Sequence, residues 1–286
     1  MQCNRILMVL LISLLLSAVF LSGHAAAHIV RVADDSYVEL DSLIERLKEV
    51  DIVFIGERHG EAGHQEAQLQ IIQSLKEAGE DVAVAIEMFR EDEQPVLDDW
   101  VDGNLAREEL VEAYNRNWGM WPRYRPVFEY ARQQRIPMVG LNLSREITGK
   151  VAREGFNSLS ENHLDELPPV QCSPDPRYEN FIRRAMGLHS DDGQAFSNFC
   201  EAQLLWDKVM AINLLEYLDK NPGKTVVVLT GSGHAWKYGI PEQVSERSDY
   251  DYLVLMPEID DRLSRETATT EEVDYLLMGV EQGPLH

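Results

Sequence analysis

Short apolar runs in this chain alternate with stretches in which apolar residues recur every third or fourth position, and the two periods divide it into strands and helices. Ile52 to Ile55, Asp81 to Ile86, Pro137 to Leu141, Thr225 to Leu229 and Tyr252 to Met256 are rich in Val, Ile and Leu, the pattern of strands buried on both faces. Tyr275 to Met278 reads as a further strand. Helical spacing covers Tyr37 to Glu49, with Leu40, Leu43, Ile44 and Leu47 on one stripe, and Glu61 to Ala78, with His64, Gln68, Ile71, Ile72 and Leu75. Asn104 to Tyr114, Ser144 to about Arg153, Arg177 to Leu188 and Ala195 to Asp219 read as helices too. Pro168-Pro169, Pro174 and Pro176 mark turns, Ile240-Pro241 opens a short helix, and Glu258 to Glu272 reads as a charged surface loop. The alternation predicts an α/β fold: a mostly parallel sheet with helices on both faces and a helical insertion over about 91–135 and 144–219.

Residues 1–27 follow a different pattern. Arg5 precedes an apolar run from Ile6 to Leu21, and Ala25-Ala26-Ala27 follows, which predicts a secretory signal cleaved after Ala27. The remainder, 28–286, has no Pro/Gly/Ser-rich linker and no internal repeat, so a single α/β domain is expected, periplasmic or secreted. An uncleaved anchor is the alternative. A lipid anchor is disfavoured, because Cys3 lies ahead of the apolar run and His24, not cysteine, precedes the alanines. In an oxidising compartment Cys172 and Cys200 are expected to pair. The formal charge of −23, from 26 basic against 49 acidic residues, sets the chain against nucleic acid and anionic membrane as partners.

Chemistry gathers where the strands end. Ile52–Ile55 gives way to Gly56, Glu57 and His59; Asp81–Ile86 to Glu87; Pro137–Leu141 to Asn142; and Thr225–Leu229 to Thr230-Gly231-Ser232-Gly233-His234. Carboxyl ends of parallel strands share one edge of the sheet, so these residues are expected in one cleft, joined from the helices by His64, Gln68, Gln203 and Asp207. Gln203 and Asp207 interrupt an apolar stripe and should be buried with partners. A divalent metal held by Glu57, His59 and His234 is one use of the cluster; acid–base catalysis by Glu57, His59, Glu87 and His234 is another. A hydrogen-bond network that only ties loops together is the plainer alternative. No Gly-x-Ser-x-Gly elbow is present, and Ser232 lacks that spacing.

Gly56-Glu57-Arg58-His59 with His64 and Gln68, Ile86-Glu87-Met88-Phe89 with Gln94, Gly140-Leu141-Asn142, Gln203 with Trp206-Asp207 and Met210-Ala211, and Gly231-Ser232-Gly233-His234 before Gly239-Ile240-Pro241 resemble the ChaN-type haem-binding uptake proteins of the Tiki superfamily. The resemblance runs from about Ile52 to Tyr275 and follows the family's order. It implies an exported bacterial protein of haem-iron uptake, with haem as cofactor, a haem or iron source and outer-membrane uptake components as partners, and room for a homodimer. The superfamily also contains Tiki-like metalloproteases and erythromycin-esterase-like enzymes, so a metal-dependent hydrolase is the second reading. For haem, Arg116, Trp118, Trp121, Arg123, Tyr124 and Arg125 interleave aromatic faces with guanidinium groups. Tyr124 is the residue there able to offer ferric iron a phenolate, its pKa lowered by a neighbouring arginine. Because a carboxylate-rich cleft repels propionates, haem is expected in the insertion and not among the Glu and His side chains. The alternative is an amphipathic helix after Pro122 with Tyr124, Phe128 and Ala131 in the core and its arginines solvated.

Overall fold

The computed structural model describes residues 27–172, 176–186, 193–259 and 262–286. The expected signal lies outside the described residues, apart from its last position: Ala27 is buried and bridges Leu285. No helix among the described residues is long and apolar enough to cross a membrane.

The chain builds β1 (His28–Arg31), β2 (Ser36–Val38), α1 (Leu40–Leu47), β3 (Ile52–Glu57), α2 (Ala62–Glu77), β4 (Val82–Arg90), α3 (Gln94–Asp102), α4 (Arg107–Asn117), α5 (Trp121–Gln134) and β5 (Met138–Asn142). Then come α6 (Arg145–Glu154), α7 (Glu161–Glu166), α8 (Pro176–Met186), α9 (Gly193–Lys220), β6 (Thr225–Gly231), α10 (Ser232–Ala235), α11 (Ile240–Ser245), β7 (Tyr252–Pro257) and β8 (Tyr275–Met278). The strands form one sheet in the order β2-β1-β8-β7-β3-β6-β4-β5. From β8 to β5 every pairing is parallel, whereas β1 is antiparallel to β8 and to β2.

Successive strand residues face opposite layers, as the two-residue period demands. Val53, Ile55, Val84, Ile86, Val227 and Leu229 pack under α1 to α5 on one face. Ile52, Phe54, Ala83, Ala85, Val226 and Val228 pack under α8 to α11 on the other. A smaller cluster around Val151, Phe156, Leu205 and Val209 joins α6 to α9.

Two departures from the sequence pattern have local causes. The helix expected from Tyr37 begins at Leu40, because Ser36 to Val38 pairs with β1 as the outer strand of a hairpin. The strand expected to stop at Ile86 continues to Arg90 through an irregularity opposite β5, whose partners are Gly140 for Ile86 and Asn142 for Arg90. Gly140 permits that crossing, since a Cβ there would lie 2.5 Å from the Arg90 carbonyl oxygen. β5 is an edge strand, and the Gln94 amide covers its open side by donating to Met138 O at 2.7 Å and accepting from Gly140 N at 2.9 Å. Covering an edge in this way removes a template for unwanted pairing.

Cys172 and Cys200 form the expected disulfide, with Cα atoms 5.5 Å apart. It fastens the segment before α8 to α9 across a sequence separation of 28, a loop whose closure stabilises a fold by roughly 3 to 4 kcal/mol in the chain-entropy account.

Candidate functional site

Strand order decides what meets what. β6 lies between β3 and β4, so Gly231 stands opposite Glu57 in register and beside Glu87. Glu57, at the end of β3, is 1% exposed and is held by donors from three directions. The Tyr124 hydroxyl from α5 and the His59 Nδ1–H, at 2.6 Å, donate to its Oε1; Gln65 Nε2 from α2 donates to Oε2 at 2.8 Å. A buried ionised carboxylate costs several kcal/mol unless its lone pairs are met, and these donors meet them.

A second imidazole–carboxylate pair faces the first. His234, in the turn of α10, contacts Asp207 Oδ1 of α9 through Nδ1 at 2.6 Å, and the Tyr178 hydroxyl of α8 donates to Asp207 Oδ2 at 2.6 Å. Glu87 sits between the pairs. Its Oε2 accepts from Gly231 N at 2.7 Å and lies 3.7 Å from His59 Nε2, while its Oε1 lies 3.8 Å from His234 Nε2. Both of those last separations are too long for hydrogen bonds. Each ring therefore keeps an Nε2 not bonded to Glu87. Gly231 leaves room for the nearer one, because a Cβ there would fall 2.7 Å from His59 Nε2.

Burial works against both imidazolium ions, but the carboxylates outweigh it. The His59 pKa is raised by the Glu57 hydrogen bond and the charges of Glu87 and Glu57. The His234 pKa is pushed up to about 9 by Asp207 and Glu87. Burial raises the Asp207 pKa in turn, with His234 and Tyr178 opposing. The proton of this pair resides on the imidazole at neutral pH, because Asp207 keeps two short donors that a protonated carboxyl would not need.

The other expected residues divide. Asn142 joins the cleft as a clamp: its Nδ2 donates to Glu87 O at 2.7 Å and its Oδ1 accepts from Trp206 Nε1 at 2.8 Å. Gln203 is half-buried in the cleft wall, not sealed in the core as its stripe suggested. His64 and Gln68 belong elsewhere. His64 Nδ1 accepts from Arg58 N at 2.9 Å and its Nε2 faces Glu281 at 3.1 Å, while Gln68 Nε2 donates to Ile55 O at 3.3 Å. Among the described residues, no three His, Cys, Asp or Glu side chains are disposed to share a metal ion.

Tyr124 requires a correction. The sequence reading set it apart from the cleft with a lowered pKa, but it is 1% exposed and bonded to Glu57. Burial and the Glu57 charge raise its pKa and so oppose a phenolate. Arg116 pairs with Glu93 and Glu112, Arg125 pairs with Glu129, and Arg123 is exposed. Trp121 packs on Tyr114 and Phe128. Trp118 does reach the cleft, its ring 5.0 Å from that of His59, with the Arg145 guanidinium 4.3 Å over the indole. On the His59 and His234 side, Arg58 and Arg262 line a cavity of about 260 Å³ beside Phe199 and Ile259.

Sequence reasoning missed Gln65, Tyr178 and Arg145. Gln65 was within reach, since it shares helical spacing with Gln68, Ile72 and Leu75 on the buried face of α2. Tyr178 and Arg145 carry no local signal; distant pairings place them.

A family model described as haem-binding uptake, Tiki superfamily, ChaN matches residues 43–244. Among solved structures, one described as cofacial haem binding to ChaN of Campylobacter jejuni is similar with a TM-score of 0.70 and 21% identity, covering 88% of this chain and 96% of that one. The type III effector HopBA1 is similar at 0.51 and 14% identity, over 84% of this chain and 92% of its own. An erythromycin esterase, EreC, in its open conformation reaches 0.50 and 14%, over 88% and 82%. At these identities the structures share the fold. No curated protein matches the chain in sequence.

The paired imidazole gives a measurable pH signature. His234 should titrate near pH 9 by NMR and move downward in Asp207→Asn; a wild-type midpoint at or below the ordinary value of 6.5 would contradict the pairing. Because the folded pKa is raised, the stabilisation from this pair should be complete below about pH 6.5 and lost as the pH rises through about 9.

Proposed function

This chain belongs to the haem-binding uptake family of the Tiki superfamily, ChaN, and we propose that its cargo is haem, held at the mouth of the carboxyl-end cleft for haem-iron acquisition outside the cytoplasm. The Campylobacter jejuni protein of the same fold binds haem cofacially, which supports the cargo. The observation that carries the placement is His59. It is 31% exposed against 10% for His234, and its Nε2 lies 3.7 Å from Glu87, uncommitted to a hydrogen bond.

The surroundings suit an apolar disc with acidic substituents. Trp118 offers an aromatic face beside His59, and Met120, 46% exposed, packs over Gly60. Arg58 and Arg262 line this mouth beside Phe199 and Ile259, where they can meet negative charge from a ligand. With Nδ1–H donated to Glu57, neutral His59 presents its lone pair at Nε2, the tautomer an axial ligand requires. Tyr124 fits less well, because its hydroxyl is buried and already donates to Glu57. Glu57 thus acts by fixing the ring, and Tyr124 by fixing Glu57.

A second reading rests on a separate observation. Two imidazole–carboxylate contacts of 2.6 Å flank Glu87, an arrangement able to pass a proton either way, and hydrolysis by general acid–base catalysis is the activity it would serve. Turnover of an activated ester that disappears in His234→Ala would establish this reading, and equal rates with and without the protein would remove it.

Export is supported by the apolar segment and alanine triplet of residues 1–27. Intact mass should show a mature chain that begins at His28, and a chain that retains Met1 would contradict it. For haem, we expect saturable haemin binding with a shifted Soret band, and His59→Ala should weaken it about tenfold or more, as loss of an axial bond implies. Wild-type binding should strengthen as the pH rises through the raised His59 pKa, since the proton competes with iron for Nε2. Haemin binding that His59→Ala leaves unchanged in affinity and spectrum would sink the assignment.

A further inference from the structure

We propose that Met120 is a reversible oxidation site, a thioether whose conversion to the sulfoxide by a peroxide loosens the mouth of the cleft. The inference holds whatever ligand the cleft takes. Sulfur is shielded at the other described positions. Cys172 and Cys200 are joined to each other, and Met88, Met138, Met210 and Met256 are 4% exposed or less. Met278 is half-buried. Met120 is 46% exposed, and among the described residues it is the methionine that stands open to solvent. An oxidant that must touch sulfur therefore meets this one first.

The position of Met120 ties two loops together. Its backbone is left-handed, with φ 61° and ψ 34°, and its carbonyl accepts from Arg123 N at 2.9 Å as α5 begins. A residue with a Cβ enters that region at a cost, so the turn needs contacts that hold it there. The side chain supplies one. A Cβ built on Gly60, itself at φ 89°, would fall 2.9 Å from the Met120 sulfur, so the thioether fills the space that a side chain at position 60 would need. Beside this contact the rings of His59 and Trp118 meet at 5.0 Å. Ring on ring and sulfur on glycine thus fasten the loop after β3 to the turn between α4 and α5.

The chemistry balances with hydrogen peroxide as the oxidant. A sulfur lone pair attacks one peroxide oxygen, the S–O bond forms as the O–O bond breaks, and sulfur is oxidised by two electrons. The departing hydroxide takes the proton from the transferred oxygen and leaves as water. The product carries a strong dipole where the thioether had none, and a glycine Cα offers that dipole no donor. Water does, so the oxidised side chain gains by leaving its seat. The turn then loses one of its two fastenings, and the other is the contact with the His59 ring.

The test treats the mature chain with limiting hydrogen peroxide and reads it twice. Peptide mass spectrometry reports the oxygen gained at each methionine, and NMR follows the His59 ring signal, assigned by its loss in His59→Ala. Met120 should gain oxygen before the buried and half-buried methionines, the His59 signal should shift in step with that gain, and a methionine sulfoxide reductase should reverse both. Met120→Leu keeps an apolar side chain of similar volume without sulfur, so its His59 signal should not respond to peroxide. Met120→Gln, which sets a polar amide against Gly60, should shift the signal without oxidant. Circular dichroism should stay at the wild-type level throughout. Oxidation that reaches one of the shielded methionines first, or a His59 signal unmoved when Met120 is fully oxidised, would overturn the proposal. So would a shift that the reductase does not reverse, a Met120→Leu protein that responds as the wild type does, or a loss of secondary structure on oxidation.

Discussion

The carboxylate of Glu57 is the constraint around which this end of the molecule is arranged. It is delivered by a strand buried on both faces and cannot reach water, so it must be satisfied by whatever surrounds the strand end. The donors come from α2, α5 and the loop after β3, through Gln65, Tyr124 and His59. A single acid therefore fixes where two helices dock and which nitrogen of an imidazole faces outward. Its removal would leave three polar groups without their acceptor, an outcome costlier than the loss of one contact.

Strand order extends this arrangement into a second pair. With β6 inserted between β3 and β4, Gly231 and His234 arrive between Glu57 and Glu87. α9 then brings Asp207 to His234, and α8 brings Tyr178 to Asp207. Each pair follows the same sequence of parts, tyrosine to carboxylate to imidazole, and both imidazoles point at Glu87. The disulfide between Cys172 and Cys200 anchors the chain just before α8, so it restrains the segment that supplies Tyr178.

Much of this was legible in the chain because the strands are buried on both faces and announce themselves as unbroken apolar runs; the acid or imidazole that ends each run is visible as the first polar interruption. Glu57, Glu87 and Asn142 were found in that way and His234 from the glycine-lined turn that follows Leu229, and the structure brings them together. Less was legible where the determining contact is distant. Tyr124 looked like part of a separate aromatic and arginine-rich stretch, and only the packing of α5 against α2 and the sheet takes its hydroxyl across 67 positions to Glu57. Periodicity also misassigned His64: its place on the buried stripe of α2 was right, but its partners are Arg58 and Glu281, the latter from the far end of the chain. The β1–β2 hairpin escaped notice because its strands are short and half-exposed and lack an apolar run.

If Glu57 orients His59 for iron, the bond between that imidazole and the metal is the central claim, and vibrational spectroscopy reads it directly. Resonance Raman spectra of the mature chain loaded with haem and reduced should show an iron–histidine stretch that is absent from His59→Ala and shifted in Glu57→Gln, where the hydrogen bond to Nδ1 is weakened. A ferric complex with tyrosinate bands, and no iron–histidine stretch on reduction, would contradict the account and return the iron to Tyr124.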